Sequence, residues 1–427
     1  MTFFETKMPA GWSWETISTR YRITKKPKGR IYSDFKTIPF VPMEAVPLNG
    51  REAVRFELRR PTDIASGTYF EKGDVLLSKI TPSFENGKQG LGDNIPAPFG
   101  VASTEIIPLQ AINPEANHRF LFFYLLHPEV RAALVGKMEG STGRQRVPEH
   151  AVRDFPIPMP PKPEQEKIAA VLWKVQHAIE VEEKLAATAR ELKQSAMRQL
   201  FTHGLRGELQ SETDDGRMPK SWVMEPIRAN AKLIAGSTPS RSVKEHWTGG
   251  TIPWVKTGEV DYCVINNTEE KITSAGLENS AAKILPKGAL LVAMYGQGIT
   301  RGKVAILGID AATNQACAGI IPTTDKLNPL FLYYYLTFSY ERLRSFSHGA
   351  QQQNLNKDLV GSFKVPQADP DEQKEIANIL QTIDRKISVH ERKRAALSDL
   401  FQTLLNQLMT AQIRVDKLDI DTSEVTT

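Results

Sequence analysis

Glu164-Gln-Glu-Lys-Ile-Ala169 and Glu372-Gln-Lys-Glu-Ile-Ala377 stand 208 residues apart, and each opens a long helical pattern. The likeness extends upstream of both. Met8-Pro-Ala-Gly-Trp12 returns as Met218-Pro-Lys-Ser-Trp222, and Ile38-Pro-Phe-Val-Pro42 as Ile252-Pro-Trp-Val-Lys256. Glu71-Lys-Gly-Asp-Val-Leu-Leu77 matches Pro286-Lys-Gly-Ala-Leu-Leu-Val292, and Arg119-Phe-Leu-Phe-Phe-Tyr-Leu125 matches Leu330-Phe-Leu-Tyr-Tyr-Tyr-Leu336. The offset stays between 208 and 215 residues throughout. A repeat that holds its order and spacing in this way describes a duplicated structural unit.

Downstream of each Glu-Gln pair runs an apolar stripe. In the second copy Asp369 stands at the N-cap position, Pro370 at the first helical position and Glu372 where a capping box would close. The stripe then falls at Ile376, Leu380, Ile383 and Ile387, passes through His390 and Arg394, and resumes at Leu397, Phe401, Leu404 and Leu408. Alternating steps of four and three are a heptad seam, which calls for a helical partner. The first copy carries Ile168, Leu172, Val175 and Ile179, then alanines and Leu200, with Glu182 and Lys193 at seam positions. At about 1.5 Å per residue such a helix is roughly 60 Å long. Antiparallel pairing of the two rods, with a globular head at each end, is the economical arrangement. Before each rod, short apolar runs such as Val75–Ile80, Ala289–Tyr295 and Lys303–Leu307 read as strands, and Phe120–Leu126 and Pro329–Ser345 as helices.

The expected fold is therefore α+β, with two tandem mixed α/β heads joined by two long antiparallel coiled-coil helices in a pseudo-twofold repeat. The expected boundaries are 1–161 for the first head, 162–208 for the central helix, 209–368 for the second head and 369–415 for the C-terminal helix. An acidic tail, 416–427, is expected to fray. Composition agrees with folded domains: 427 residues, 41% hydrophobic and 24% charged. No apolar run is long enough for a membrane helix, and the start lacks the order of a signal peptide. Two cysteines, Cys263 and Cys317, make neither a disulfide framework nor a metal cluster. A cytoplasmic location follows as an expectation. The net charge of +5 permits a nucleic-acid partner without demanding one.

A duplicated head suits a ligand that itself repeats along an axis, and duplex DNA does so every turn. Side chains suited to base edges and phosphates cluster around turns: Lys79, Thr81, Lys88, Arg144, Gln145 and Arg146 in the first head. In the second they are Gln297, Thr300, Arg301, Lys303, Asn314, Gln315, Gln351, Gln352, Gln353 and Asn354. Arg and Lys pair with guanine edges, Asn and Gln with adenine. Tyr333, Tyr334 and Tyr335 read as helix packing. Catalytic signatures are missing. Gly296-Gln-Gly-Ile-Thr-Arg-Gly-Lys303 has one residue too many for a phosphate loop, and Val304 stands where a magnesium-holding Ser or Thr belongs. The eight histidines are scattered, and neither a nucleophile elbow nor a base-methylation motif occurs. A coiled-coil scaffold that binds no DNA is the alternative.

Leu77-Ser-Lys-Ile-Thr-Pro-Ser-Phe-Glu-Asn-Gly-Lys88, Ser103-Thr-Glu-Ile106, Gly140-Ser-Thr-Gly-Arg-Gln-Arg-Val147 and Gly349-Ala-Gln-Gln-Gln-Asn-Leu355 add a family likeness. In duplicated order these motifs resemble the specificity subunits of type I restriction-modification systems. The resemblance implies two target recognition domains, each reading half of a bipartite DNA site. It implies helices that recruit two modification subunits for adenine methylation and, with restriction subunits, ATP-dependent cleavage. It further implies that S-adenosylmethionine, ATP and Mg2+ belong to those partners, and that this chain has no catalytic residue, cofactor, metal or membrane contact of its own.

Overall fold

The computed structural model describes residues 4, 7–48, 50–112, 114–141, 143–213, 216–296, 299–346 and 354–425. The chain divides into two units, one of residues 1–185 with 390–427 and one of residues 186–389.

In the first unit the chain enters through β1 (Ser13–Thr16), α1 (Ile17–Arg20) and β2 (Tyr21–Ile23). Next come β3 (Ile38–Val41), β4 (Glu57–Arg59), β5 (Thr68–Glu71), β6 (Val75–Ser78), β7 (Gln89–Leu91), β8 (Phe99–Ala102) and β9 (Ile106–Ala111). They form two four-stranded sheets, ordered β2-β9-β6-β7 and β4-β3-β8-β5. Within these sheets β3 and β8 run parallel and the other neighbours antiparallel. Val75, Leu76 and Leu77 have no exposed surface. Both faces of β6 are covered, so its sequence is a continuous apolar run and not an alternation. Helices α2 (His118–Leu126), α3 (Pro128–Val135) and α4 (Glu149–Arg153) follow, and β10 (Pro156–Met159) returns to pair antiparallel with β1. Asn117 caps α2 by accepting from the Phe120 amide at 3.0 Å. The long helix α5 (Lys162–His203) leaves from here.

The second unit repeats the plan. After β11 (Gln210–Thr213) and β12 (Gly216–Pro219) come β13 (Val223–Pro226), β14 (Ala231–Ala235), β15 (Ile252–Val255), β16 (Val264–Ile265) and β17 (Glu270–Ile272). Then follow α6 (Ser274–Glu278), β18 (Leu290–Ala293), β19 (Val304–Leu307), β20 (Ala312–Thr313) and β21 (Cys317–Pro322). Helices α7 (Pro329–Phe338), α8 (Tyr340–Ser345) and α9 (Lys357–Ser362), strand β22 (Lys364–Gln367) and helix α10 (Pro370–Met409) complete it. The order β14-β21-β18-β19 matches β2-β9-β6-β7, with β16 added at the edge, and β13 pairs β22 as β1 pairs β10. Pro329–Ser345, expected as one helix, is broken at Ser339 into α7 and α8.

The repeated residues explain the repeated plan. Trp12 Nε1 donates to Glu164 Oε2 at 2.9 Å, and Trp222 Nε1 donates to Glu372 Oε2 at 3.2 Å. Gln165 accepts from the Asn117 amide at 2.9 Å and donates to the Glu115 and Pro160 carbonyls at 3.0 and 2.8 Å. Gln373 accepts from the Asn328 amide at 2.9 Å and donates to the Lys326 and Ala368 carbonyls at 2.7 and 2.8 Å. Each buried Glu-Gln pair thus ties the helix start to the opening Trp, the loop before the aromatic helix and the proline hinge. Asp369 does cap α10, accepting from the Asp371 amide at 3.0 Å. Glu372 does not close a capping box; its second oxygen accepts from the Leu205 amide at 2.8 Å, just past the end of α5. Gly204 has φ +63°, and a Cβ there would stand 2.8 Å from that carboxylate. In the first unit Arg414, just past α10, reaches Glu164 at 2.6 and 2.7 Å.

The helices pair antiparallel, the arrangement expected for the two rods. In the first unit Ile168, Leu172 and Ile179 of α5 share a core with Phe401, Leu405, Leu408 and Met409 of α10. In the second, Met197, Leu200 and Phe201 of α5 meet Ile376, Leu380 and Ile383 of α10. In both, the start of one helix lies beside the end of the other. Val175, Ile387, Leu397 and Leu404 are only partly buried, whereas Leu405 is fully covered. The polar seam residues find partners across the pair: Glu182 with His390 at 2.6 Å, and Lys193 with Asp384 at 2.6 Å. The tail also differs from expectation. The Lys167 and Lys174 ammonium groups donate to the Asp416 and Asp421 carbonyls, and Val425 is fully buried.

Replacing Gln165 or Gln373 with Leu would leave three backbone groups without partners. Either change should lower the stability of its unit by about 3 kcal/mol, read as an earlier unfolding transition in urea. Asp74, in the turn before β6, is buried, and burial pushes its carboxyl up to about 7. The second copy has buried Ala289 at this position. The raised value means the folded chain holds the proton more tightly. The resulting stability is complete below the ordinary carboxyl value of about 4 and is lost as pH rises through about 7. Asp74→Asn should therefore unfold later than the parent above neutrality and match it in acid, in thermal melts across pH.

Candidate nucleic-acid interface

The end of β6 is where the first unit gathers its candidates. The Lys79 amide donates to the Glu105 carbonyl at 2.9 Å, and the Lys79 carbonyl accepts from Val147 at 2.8 Å. The Thr81 amide donates to the Gln145 carbonyl at 3.0 Å, and Ser78 donates to the Lys88 carbonyl at 3.2 Å. Glu139 and Arg146 exchange two backbone bonds of 2.9 Å, closing a small hairpin whose turn bears Arg144. The backbone therefore brings Lys79, Thr81, Lys88, Arg144, Gln145 and Arg146 together, although the two loops are some sixty residues apart in the chain.

Their side chains are not equally available. Arg146 grips Glu105 through two bonds of 2.8 and 2.7 Å, and this pairing holds the Glu105 carboxyl below its usual range. Thr81 donates to Glu85 at 2.6 Å. Arg144 is exposed, and among the described residues no carboxylate lies within ion-pair distance of it. Gln145, Lys79 and Lys88 are half-buried.

One support of this cluster escapes sequence reading. Arg131 of α3 is buried against the Phe84 ring, 4.5 Å from its centroid. It donates to the Phe84 carbonyl at 3.2 Å and to Gln89 Oε1 at 2.5 Å. Gln89 in turn donates to the Phe122 carbonyl at 2.6 Å. The guanidinium thus holds the loop that ends at Lys88 against the aromatic helix, and burial pulls its pKa down to about 9. Nothing but its place on an otherwise apolar helix face marks Arg131 in the sequence.

The second unit has the same framework. The Met294 amide donates to the Ala316 carbonyl at 2.8 Å, and the Met294 carbonyl accepts from Leu355 at 3.1 Å. These bonds correspond to those of Lys79 with Glu105 and Val147. Thr300, Arg301 and Lys303 lie on the turn from β18 to β19, where Lys303 pairs with Asp261 at 2.6 Å. Asn354 is exposed, one residue before the anchoring Leu355. Gln297, Gln351, Gln352 and Gln353 lie outside the described residues. Asn314 and Gln315 are engaged locally, accepting from the Thr257 and Thr238 hydroxyls. Tyr333, Tyr334 and Tyr335 are buried, with the Tyr334 hydroxyl donating to Asp384 at 2.7 Å, so they pack and do not stack on a ligand.

Among the described residues no group of three or more His, Cys, Asp or Glu is placed to hold a metal ion. No described helix is long and apolar enough to cross a membrane. The model of the type I restriction modification DNA specificity domain matches twice, over residues 28–190 and 219–399, most of the chain. The chain belongs to this family. A curated relative, the EcoEI specificity subunit of Escherichia coli, is 30% identical over 196 residues, which are 46% of this chain and 33% of that one. The chain thus spans about a third of that relative's length. A putative MjaX specificity subunit of Methanocaldococcus jannaschii is 23% identical over 347 residues, covering 80% of this chain and 79% of the relative. The crystal structure of an S subunit of a type I system from M. genitalium superposes with a TM-score of 0.61 at 15% identity. That match covers 94% of this chain and 97% of the other, a likeness of fold.

Arg131→Met should keep the apolar packing but free the Phe84 carbonyl and Gln89. Faster hydrogen exchange at residues 84–89, with α5 amides unchanged, is the expected result by mass spectrometry.

Proposed function

We propose that this chain is the DNA-sequence-specificity subunit of a type I restriction-modification complex. The observation that carries the reading is the duplicated polar cluster. In both units, within the two segments that match the family model, the residue just past a buried strand, Lys79 or Met294, makes the same two backbone bonds, to Glu105 and Val147 or to Ala316 and Leu355. Backbone anchors beside exposed Arg144 and Asn354 suit reading base edges, because discrimination depends on holding donors and acceptors in register. Each recognition unit reads one half of a bipartite site. Arg144 and Gln145 are the base-reading candidates in the first, with Lys79, Thr81 and Lys88 beside them. Asn354, the glutamines before it, Thr300, Arg301 and Lys303 serve the second. Arg146 and Lys303, already paired with carboxylates, act through those pairs or on phosphates.

In this reading the helices α5 and α10 recruit two modification subunits, which bind S-adenosylmethionine and methylate adenine. Restriction subunits add cleavage driven by ATP with Mg2+. The complex works in the cytoplasm, where Cys263 and Cys317 stay as thiols. The expected domain limits of 1–161, 162–208, 209–368 and 369–415 carry over as the working division for exchange experiments.

Co-expression with a modification subunit, followed by mapping of methylated adenines, should reveal one split motif with a constant gap. Arg144→Ala should weaken or relax one half only, by about 1–3 kcal/mol, or roughly fivefold to a hundredfold. Arg146→Ala should do less, since Glu105 already neutralises it. A complex that forms but methylates nothing, with no duplex binding by the chain, would support the scaffold reading instead.

A further inference from the structure

Between β2 and β3 the chain reads Lys25-Lys-Pro-Lys-Gly-Arg30, with Lys36 six residues on and Asp34 the sole acid in between. Lys25, Lys26, Lys28 and Lys36 are exposed and Arg30 half-exposed. Among the described residues none of the five lies within ion-pair distance of a carboxylate, whereas the neighbouring arginines do: Arg59 with Glu57 at 2.8 Å and Arg60 with Asp63 at 3.0 Å. The loop is also held. Lys26 Nζ stands 4.1 Å from the centroid of the Tyr32 ring, and the Arg30 guanidinium stands 4.9 Å from that of Phe99. Tyr32 stacks on Phe99, and Phe35 meets the same ring edge-on at 4.9 Å. Clustered like charges repel one another, and among the described residues no carboxylate pairs with these. A cation cluster fixed on an aromatic platform suits a polyanion.

The second unit lacks the feature. After β14 the corresponding stretch is Gly236-Ser-Thr-Pro-Ser240, followed by Arg241, which is bound to Glu270 at 2.5 Å and lies over the Trp247 ring at 3.7 Å.

We infer that Lys25, Lys26, Lys28, Arg30 and Lys36 form a phosphate-gripping surface for the DNA backbone, an electrostatic anchor present on the first recognition unit and absent from the second. The inference rests on the proposed DNA-reading function and adds a contact outside the recognition loops. Its position supports this role. Phe99 opens β8, while Ala102 closes it and leads to Glu105 beside Arg146. The anchor therefore lies at one end of β8 and the loop cluster past the other, on the same unit. It holds phosphates apart from the bases that Arg144 and Gln145 face.

The test uses the full-length chain and a short random-sequence duplex, with affinity measured by fluorescence anisotropy over a range of salt concentration. The quadruple variant K25Q/K26Q/K28Q/R30Q should lose at least tenfold in affinity at about 0.1 M salt. Its slope of log K against log salt should be shallower by about 3.6, near 0.9 for each of the four phosphate contacts removed. K25R/K26R/K28R, which keeps the charge, should retain the parental slope and so separates loss of charge from damage to the loop. K271Q/K283Q/K287Q/K326Q removes the same charge from exposed positions of the second unit and should leave the slope nearly unchanged. An unaltered slope in the first variant, or an equal loss in this last one, would overturn the anchor while leaving the DNA-reading function standing. If the parent itself bound no duplex, both would fall together.

Discussion

The buried carboxamide of a glutamine at the start of each long helix is the contact on which the rest is hung. Gln165 and Gln373 are fully buried, and each satisfies one amide and two carbonyls from loops that have no other reason to meet. A buried side-chain amide is costly unless all its bonds are made. The hinge, the pre-helix loop and the helix must therefore arrive together. The adjacent glutamate adds a tryptophan donor and a group just past the end of the other long helix: Arg414 in one unit, the Leu205 amide in the other. Each unit is thus closed by a residue far away in the chain, and neither head is complete without part of the helix that follows the other head.

Within the first unit the candidate loops are tied to this frame by backbone bonds. Helix α2 buries Phe120 to Leu125, and strand β6, which ends just before Lys79, is buried on both faces. The loop at its end has few ways to move once Val147 and Glu105 have bonded to it. Arg131 removes one more freedom, trading the cost of a buried cation for three contacts that hold the loop bearing Lys88. A surface built in this way keeps a constant frame while the residues on it vary. The two units show this: the bonds at Lys79 and Met294 are the same, and the side chains around them are not.

Much of this was legible before any coordinates. The offset of 208 to 215 residues, the heptad stripes and the apolar runs give two heads, two helices and their pairing, because burial is periodic and periodicity is written in the order of residues. Asp369 and Pro370 mark where the second long helix starts. Less legible was the inner use of polar residues. Glu372 satisfies the spacing rule for a capping box, yet Trp222 and Leu205 claim it, because a buried indole N–H needs an acceptor more than an exposed helix start does. The acidic tail carries no periodic signal, but its backbone carbonyls meet Lys167 and Lys174, and Val425 finds an apolar site.

The sequence by itself determined the duplication, the class of fold, the need of each long helix for a helical partner, and the family. Local patterns are enough for these, because each depends on spacing along one chain. Only the tertiary structure decided which polar residues are free to act. Arg144 and Arg146 are two residues apart and alike on paper. One is exposed without a carboxylate neighbour, and the other is clasped by Glu105, forty-one residues earlier in the chain. Likewise, among the described residues, no carboxylate folds back onto the Lys25–Arg30 loop, which its sequence alone does not reveal. Charge is a property of the residue; its compensation is a property of neighbours that the chain order does not name.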